Sequence, residues 1–217
     1  DRVFAVSARA FEAGTQTLNI GARRRWIENN EIKGAGQETD APDVCHTLFA
    51  SGGASLFRRK LVEDLGRFDI LYSPFYREDT DLSYRAWKRG MLVVYNPRAV
   101  SHHIGGASIT RKGAAPHVRA WNRLRAATFI HRNAILFYIK NITDADLWTA
   151  YRNRIFTWTL TYFLRLRWTY LAGLALALPR LAAAWSARRM EIAQGTVSDH
   201  DLFRTLNIEY ETPAHDD

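Results

Sequence analysis

Cysteine is almost absent. Cys45 is the single one in 217 residues, which excludes an internal disulfide and any CxxC metal site. Long apolar runs are missing too. Ile155–Leu164 and Trp168–Leu178 are apolar and aromatic, but Arg165 and Arg167 separate them, and neither piece reaches the roughly 20 residues that span a bilayer. Asp1 to Gly14 lacks a basic start followed by an apolar run, so no signal peptide is expected. Negative charge is short: 30 Lys and Arg face 22 Asp and Glu, a formal net charge of +8. That surplus asks for an acidic partner, whether nucleic acid, anionic lipid or a phosphorylated substrate. What is plentiful is hydrophobic content, 47% of residues, enough to build a core. The strand-like opening Val3–Val6 with no leading Met suggests a piece of a longer polypeptide.

Chemistry concentrates between Phe75 and His103. Glu78, Asp79 and Asp81 open a helical pattern that continues through Leu82, Ala86 and Trp87, and a helix N-terminus favours negative charge. Gly90 suits the left-handed residue that ends a helix, and Met91 to Tyr95 predicts a buried strand. His102 and His103 come at the end of that strand. Strand and helix thus deliver an acidic cluster and a histidine pair to adjoining loop ends, an arrangement suited to a metal-assisted site. Upstream, Gly52 and Gly53 interrupt a strand-like run. They mark either a close approach of a substrate or a bulge. Arg58 to Leu65 predicts a helix with Gly66 after it. The basic knot Arg23-Arg24-Arg25 is either a solvated surface or a contact for phosphate or headgroups.

Together, GGASLFRR from Gly52, the helix ending LGRFD, SPFYREDTDLSYRAWKRG and the strand ending VSHH resemble the second half of an inverting family 2 glycosyltransferase of GT-A type, over roughly residues 45–145. The resemblance implies an α/β fold: a partial GT-A, Rossmann-like mixed sheet with flanking helices in residues 1–115. A helical region, the candidate for membrane association, is expected next over 116–208, then a disordered tail, 209–217. The nucleotide-binding half and its DxD motif are expected before residue 1. Asp79-Thr80-Asp81 spells DxD but lies inside the helix opening, so it is taken as coincidence.

The resemblance also implies roles. Asp79 would be the general base, with Glu78 beside it to position it or the acceptor. Gly52, Gly53 and Ala54 would floor the acceptor site, together with Asp81, whose other role would be to stabilise the helix start. His103, or failing it His102, would hold Mg2+ or Mn2+. Ile104–Ser108 reads either as a loop closing over diphosphate, with Arg111 and Lys112 close behind to meet it, or as a plain glycine turn. Arg132 would either contact the diphosphate or be a solvated charge. Arg85, one turn after Asp81, is expected to pair with the acidic cluster. The donor would be a nucleotide sugar and the acceptor a glycan or lipid-linked glycan of a bacterial cell envelope. The aromatic C-terminal third predicts peripheral contact with an anionic membrane surface, at the cytoplasmic face of the cell membrane. The alternative is a non-catalytic, membrane-associated scaffold derived from such an enzyme. Specific nucleic-acid binding rests on charge alone and is not expected.

Overall fold

The computed structural model describes residues 2–24, 27–28, 31–32, 37–104 and 115–206. The expected closing loop beyond Ile104, with Arg111 and Lys112, lies outside these residues, as do Arg25 and the tail.

Strand β1 (Val3–Glu12) is followed by β2 (Leu18–Ile20) and four short strands, β3 (Ala22–Arg24), β4 (Ile27–Glu28), β5 (Glu31–Ile32) and β6 (Gln37–Thr39). β3 pairs with β6, and β4 with β5, as two small antiparallel ribbons. Then come β7 (Cys45–His46), β8 (Ser55–Phe57), helix α1 (Arg59–Asp64), a 3-10 turn at Ile70–Tyr72, helix α2 (Glu78–Lys88) and β9 (Leu92–His103). The main sheet runs β2-β1-β9-β7, with β8 also on β1. β1 and β9 are parallel and the other pairs antiparallel. Parallel partners need a long crossover, and α1 and α2 lie within it.

β1 and β9 are longer than their apolar stretches suggest. They pair from Val3↔Leu92 to Glu12↔His103, with a register shift after Ala8 that skips Pro97 to Ala99. Mutual hydrogen bonding carries both strands on past their hydrophobic halves. The result fixes His103 at one end of a central parallel pair.

The rest is helical: α3 (Pro116–Asn141), α4 (Ala145–Leu164), α5 (Trp168–Ala177), a 3-10 turn at Leu178–Arg180, α6 (Leu181–Gln194) and α7 (Asp199–Thr205). A mixed sheet flanked by helices and followed by a helical region is therefore the architecture. One hydrophobic cluster joins them, from Phe4, Leu48, Leu82 and Val93 to Leu136, Tyr151, Ala184 and Leu202. Asp199, fully buried, ties the last helix to α2: it accepts hydrogen bonds from Tyr84 Oη at 2.7 Å and Lys88 Nζ at 3.0 Å, and from the amides of Thr143 and Asp144.

One expectation needs correcting. Trp168–Leu178 is not a separate short piece. α5, the 3-10 turn and α6 form a 27-residue helical stretch, Trp168–Gln194, long and apolar enough by length and composition to cross a membrane. Proline costs little in a first turn, where its missing N–H has no helical partner. The stretch also packs on α3, where Gly173 lets backbones meet: a Cβ there would lie 2.8 Å from Thr128 O and 2.9 Å from His131 Cβ.

Candidate active site

The loop before α2 aims the acidic opening of that helix. Its Tyr76 and Arg77 are both left-handed, at φ 72° and 76°, a conformation that costs side-chain-bearing residues roughly 1–2 kcal/mol each. Helix α3 holds them there. Asn133 Nδ2 donates to the carbonyls of Tyr72, Phe75 and Tyr76 at 2.7–2.9 Å. Arg132 donates to the carbonyls of Tyr72 and Ser73, and Arg180 to those of Leu71 and Ser73. Arg132 is thereby accounted for. The expectation that it meets a diphosphate is corrected, because it is 3% exposed and spends its donors on this loop and on Asn133. Burial, reinforced by the charge of Arg180, lowers its pKa to about 10.

Asn133→Ala would release the carbonyls of Phe75 and Tyr76, while Arg132 still holds that of Tyr72. The left-handed pair should relax, misplacing the start of α2. A displacement near 1 Å costs about 100-fold in catalysis, so for the transfer that the resemblance implies, steady-state kinetics should show a rate reduced on that order with KM for donor little changed.

Asp79 and His103 meet on one glycine turn. The Asp79 carboxylate accepts from the amide of Thr80 at 2.7 Å through one oxygen and from the amide of Gly52 at 3.2 Å through the other. At the next residue, a Cβ on Gly53 would lie 2.8 Å from His103 Cε1 and 3.3 Å from Nδ1. Only glycine lets that imidazole rest on the backbone. Residues 79 and 103 are thus brought to successive residues of a single turn, whose position beside β1 is kept by Ala8 N–H donating to Ala54 O at 2.9 Å. Gly52 and Gly53 are both exposed. His102 takes the other face of β9, as strand alternation requires, with its ring 6.3 Å from that of Phe11. The fallback ligand therefore faces away from the turn.

Glu78 differs from its neighbour. It is partly buried, and its Oε2 has no hydrogen-bond partner. Burial raises its pKa; its own amide pulls the other way, and the charge of Asp79 adds to the rise. Glu78 is thus a half-buried carboxyl with an unused oxygen beside an ordered carboxylate.

Asp81 is corrected as an acceptor-binding residue. It is fully enclosed, and Tyr72 Oη, Arg85 Nε, Lys140 Nζ and Asn141 Nδ2 all donate to it at 2.8–2.9 Å. Nothing on its surface is left for a sugar hydroxyl. Burial by itself would raise its pKa, but Lys140 and Arg85, with the hydrogen bonds from Lys140 and Asn141, hold it below the ordinary value. Arg85 is indeed the internal partner of the acidic cluster. Lys140 and Asn141 give no sign in the sequence beyond closing a long helix.

Among the described residues no group of three or more His, Cys, Asp or Glu side chains could hold a metal ion. An imidazole without co-ligands does not make a cation site, so His103 cannot serve as one by itself. No protein-family model matches the chain, and no curated protein matches it.

Proposed function

We propose that these residues form the acceptor side of an inverting glycosyltransferase of GT-A type. The observation that supports it is the glycine turn bearing Asp79 on one residue and His103 on the next. In this reading an acceptor hydroxyl lies over Gly52 and Gly53. Asp79 takes its proton as the oxygen bonds to the anomeric carbon of a nucleotide sugar, while the bond from that carbon to the diphosphate oxygen breaks and the nucleoside diphosphate leaves with the electron pair. Asp79 is oriented for this by two amides before any acceptor arrives. Glu78, half-buried beside it, helps to position Asp79 or the acceptor. Mg2+ or Mn2+ on the leaving diphosphate would require ligands besides His103. Arg111 and Lys112 keep the diphosphate role that the resemblance gives them.

The acceptor in this reading is a glycan or lipid-linked glycan at the inner face of a bacterial membrane. The tip of the α4–α5 hairpin supports that location, since Phe163, Leu164, Leu166 and Trp168 are all exposed beside Arg165 and Arg167. Apolar side chains flanked by arginines suit an anionic interface. In a flotation assay the protein should rise with phosphatidylglycerol vesicles at low salt. It should stay down with neutral vesicles or at high salt. Resistance to alkaline carbonate extraction would instead assign Trp168–Gln194 as a span.

The test of activity is transfer from a panel of nucleotide sugars to membrane glycolipids, using the full reading frame that encodes these residues, with the product's anomeric configuration read by NMR. An inverted product supports the proposal. A retained configuration overturns the inverting mechanism, and no product from any donor overturns the proposal in favour of the scaffold reading, which the long apolar helix also fits.

A further inference from the structure

Helix α4 is apolar on two faces. Phe156, Leu160, Phe163 and Leu164 lie outside and exposed. Tyr151, Ile155, Trp158 and Tyr162 lie inside, where with Ile130, His131, Ala134, Ile135 and Tyr138 of α3 and Tyr170 of α5 they line a partly enclosed cavity of about 200 Å³. A helix that is apolar nearly all round needs a second apolar neighbour, and on its inner side this one meets a hollow. The lining is mainly hydrocarbon and ring. Of its polar atoms, Tyr170 Oη lies 3.1 Å from Thr159 Oγ1, and the His131 ring packs edge-on against Tyr170. Burial lowers the pKa of His131, so its ring adds no charge to the wall near neutrality.

Among the described residues one permanent cation lines this hollow: Arg77, the residue directly before Glu78 and Asp79. Its guanidinium lies 5.9 Å from the Phe137 ring, and its charge is felt by the phenols of Tyr138 and Tyr151. The left-handed backbone that aims Glu78 and Asp79 therefore also sets Arg77 against the cavity wall. An apolar hollow with a cation in its wall, contributed by the residue directly before the carboxylates, matches a molecule with a hydrocarbon chain, an anionic group and a hydroxyl to be glycosylated, in that order.

We infer that the α3–α4–α5 cavity binds the hydrocarbon chain of a lipid-phosphate acceptor, with Arg77 on its phosphate. This rests on the glycosyltransferase reading for what happens at the hydroxyl, and it narrows the acceptor class to lipid-linked glycans. The size is sufficient for the chain segment nearest the phosphate, since a cavity of roughly 150 Å³ already accommodates benzene. The exposed outer face of α4 gives the remaining chain an apolar path to a bilayer. A free oligosaccharide would leave the aliphatic walls of Ile130, Ile135 and Ile155 unused.

Farnesyl phosphate bearing a diazirine on its chain is the probe. Photolysis of the unmodified protein should label peptides of α3 and α4 in a saturable way, and unlabelled farnesyl phosphate should compete. Farnesol should compete at least 10-fold less well, and so should inorganic phosphate. Ala134→Trp, which fills the hollow, should abolish labelling, and Arg77→Gln should weaken competition by farnesyl phosphate to the level of farnesol. Label spread over the exposed face of α4 alone, or insensitive to Ala134→Trp in a variant that retains its Tm, overturns the inference. Should Ala134→Trp not fold, the mapping on the unmodified protein decides by itself. Competition by oligosaccharide equal to that by farnesyl phosphate also overturns it. Because no donor is present, failure of the transferase reading leaves this result standing, and failure here leaves transfer to water-soluble glycans measurable.

Discussion

Asp79→Asn is expected to lower the transfer rate by about 10²- to 10⁴-fold, the usual contribution of a positioned general base, while leaving the donor KM nearly unchanged. The carboxylate accepts from Thr80 and Gly52 through different oxygens. Asparagine retains only one acceptor oxygen, so one of the two amides loses its partner while the other contact and the backbone of α2 are kept. What is lost is the basic oxygen. A second readout separates this from a structural effect. Asp79's charge contributes to the raised pKa of Glu78, so Asp79→Asn should move the Glu78 carboxyl resonance back toward 4.5, the ordinary value, in a 13C NMR titration. Undiminished turnover with that shift present would show that Asp79 is not the base and would direct attention to Glu78. Loss of both turnover and fold would show only that the substitution was not silent, and Glu78→Gln would then carry the comparison.

How much of this site can be read from the chain depends on distance along it. The acidic opening of α2, its termination before Gly90 and the Asp81–Arg85 pair come from local rules, since helical spacing puts residues four apart on one side. Gly90 is at φ 72°, as a helix end requires. The error at Asp81 has a physical origin. An acidic run is ordinarily solvated, but α2 is buried from Thr80 to Lys88, on all sides, so its charges are interior ones. Their partners Lys140 and Asn141 lie about 60 residues away, where no periodicity reaches. Arg132 reads as a residue that could face a ligand; with Asn133 it serves loop carbonyls instead, and a carbonyl's need for a donor leaves no trace in a sequence. Trp168–Leu178 reads as a separate short piece because the 3-10 turn that carries the helix past Pro179 has no periodicity to announce it. The cavity is hidden for a related reason. A helix with apolar residues on two faces looks the same in sequence whether one face is filled by protein or left hollow.

Asp81→Ala should destabilise the fold by roughly 3–5 kcal/mol, the cost of leaving buried partners of an ion pair uncompensated, lowering Tm by on the order of 10 °C for a domain of this size. Lys140 would keep Asp69, at 2.8 Å, and Arg85 would keep the carbonyls of Leu65 and Arg67. Both cations are nevertheless about 95% or more enclosed, and Tyr72 and Asn141 would lose their shared acceptor. By contrast, Lys60→Ala, which breaks the exposed i,i+4 pair with Asp64, should change stability by less than about 0.5 kcal/mol. Acid should do to the wild type what the substitution does at neutral pH. The folded pKa of Asp81 lies below its ordinary 3.8. Its contribution is therefore complete above that value and is lost as pH falls through the lowered one, because only then does the folded state take up the proton. Urea titrations from pH 6 down to pH 2 should show the wild type losing stability toward the Asp81→Ala level, with the two curves converging at the acid end. A wild type and variant separated by the same interval at every pH would mean that Asp81 takes up its proton equally in the folded and unfolded states, and that its charge contributes nothing to the network.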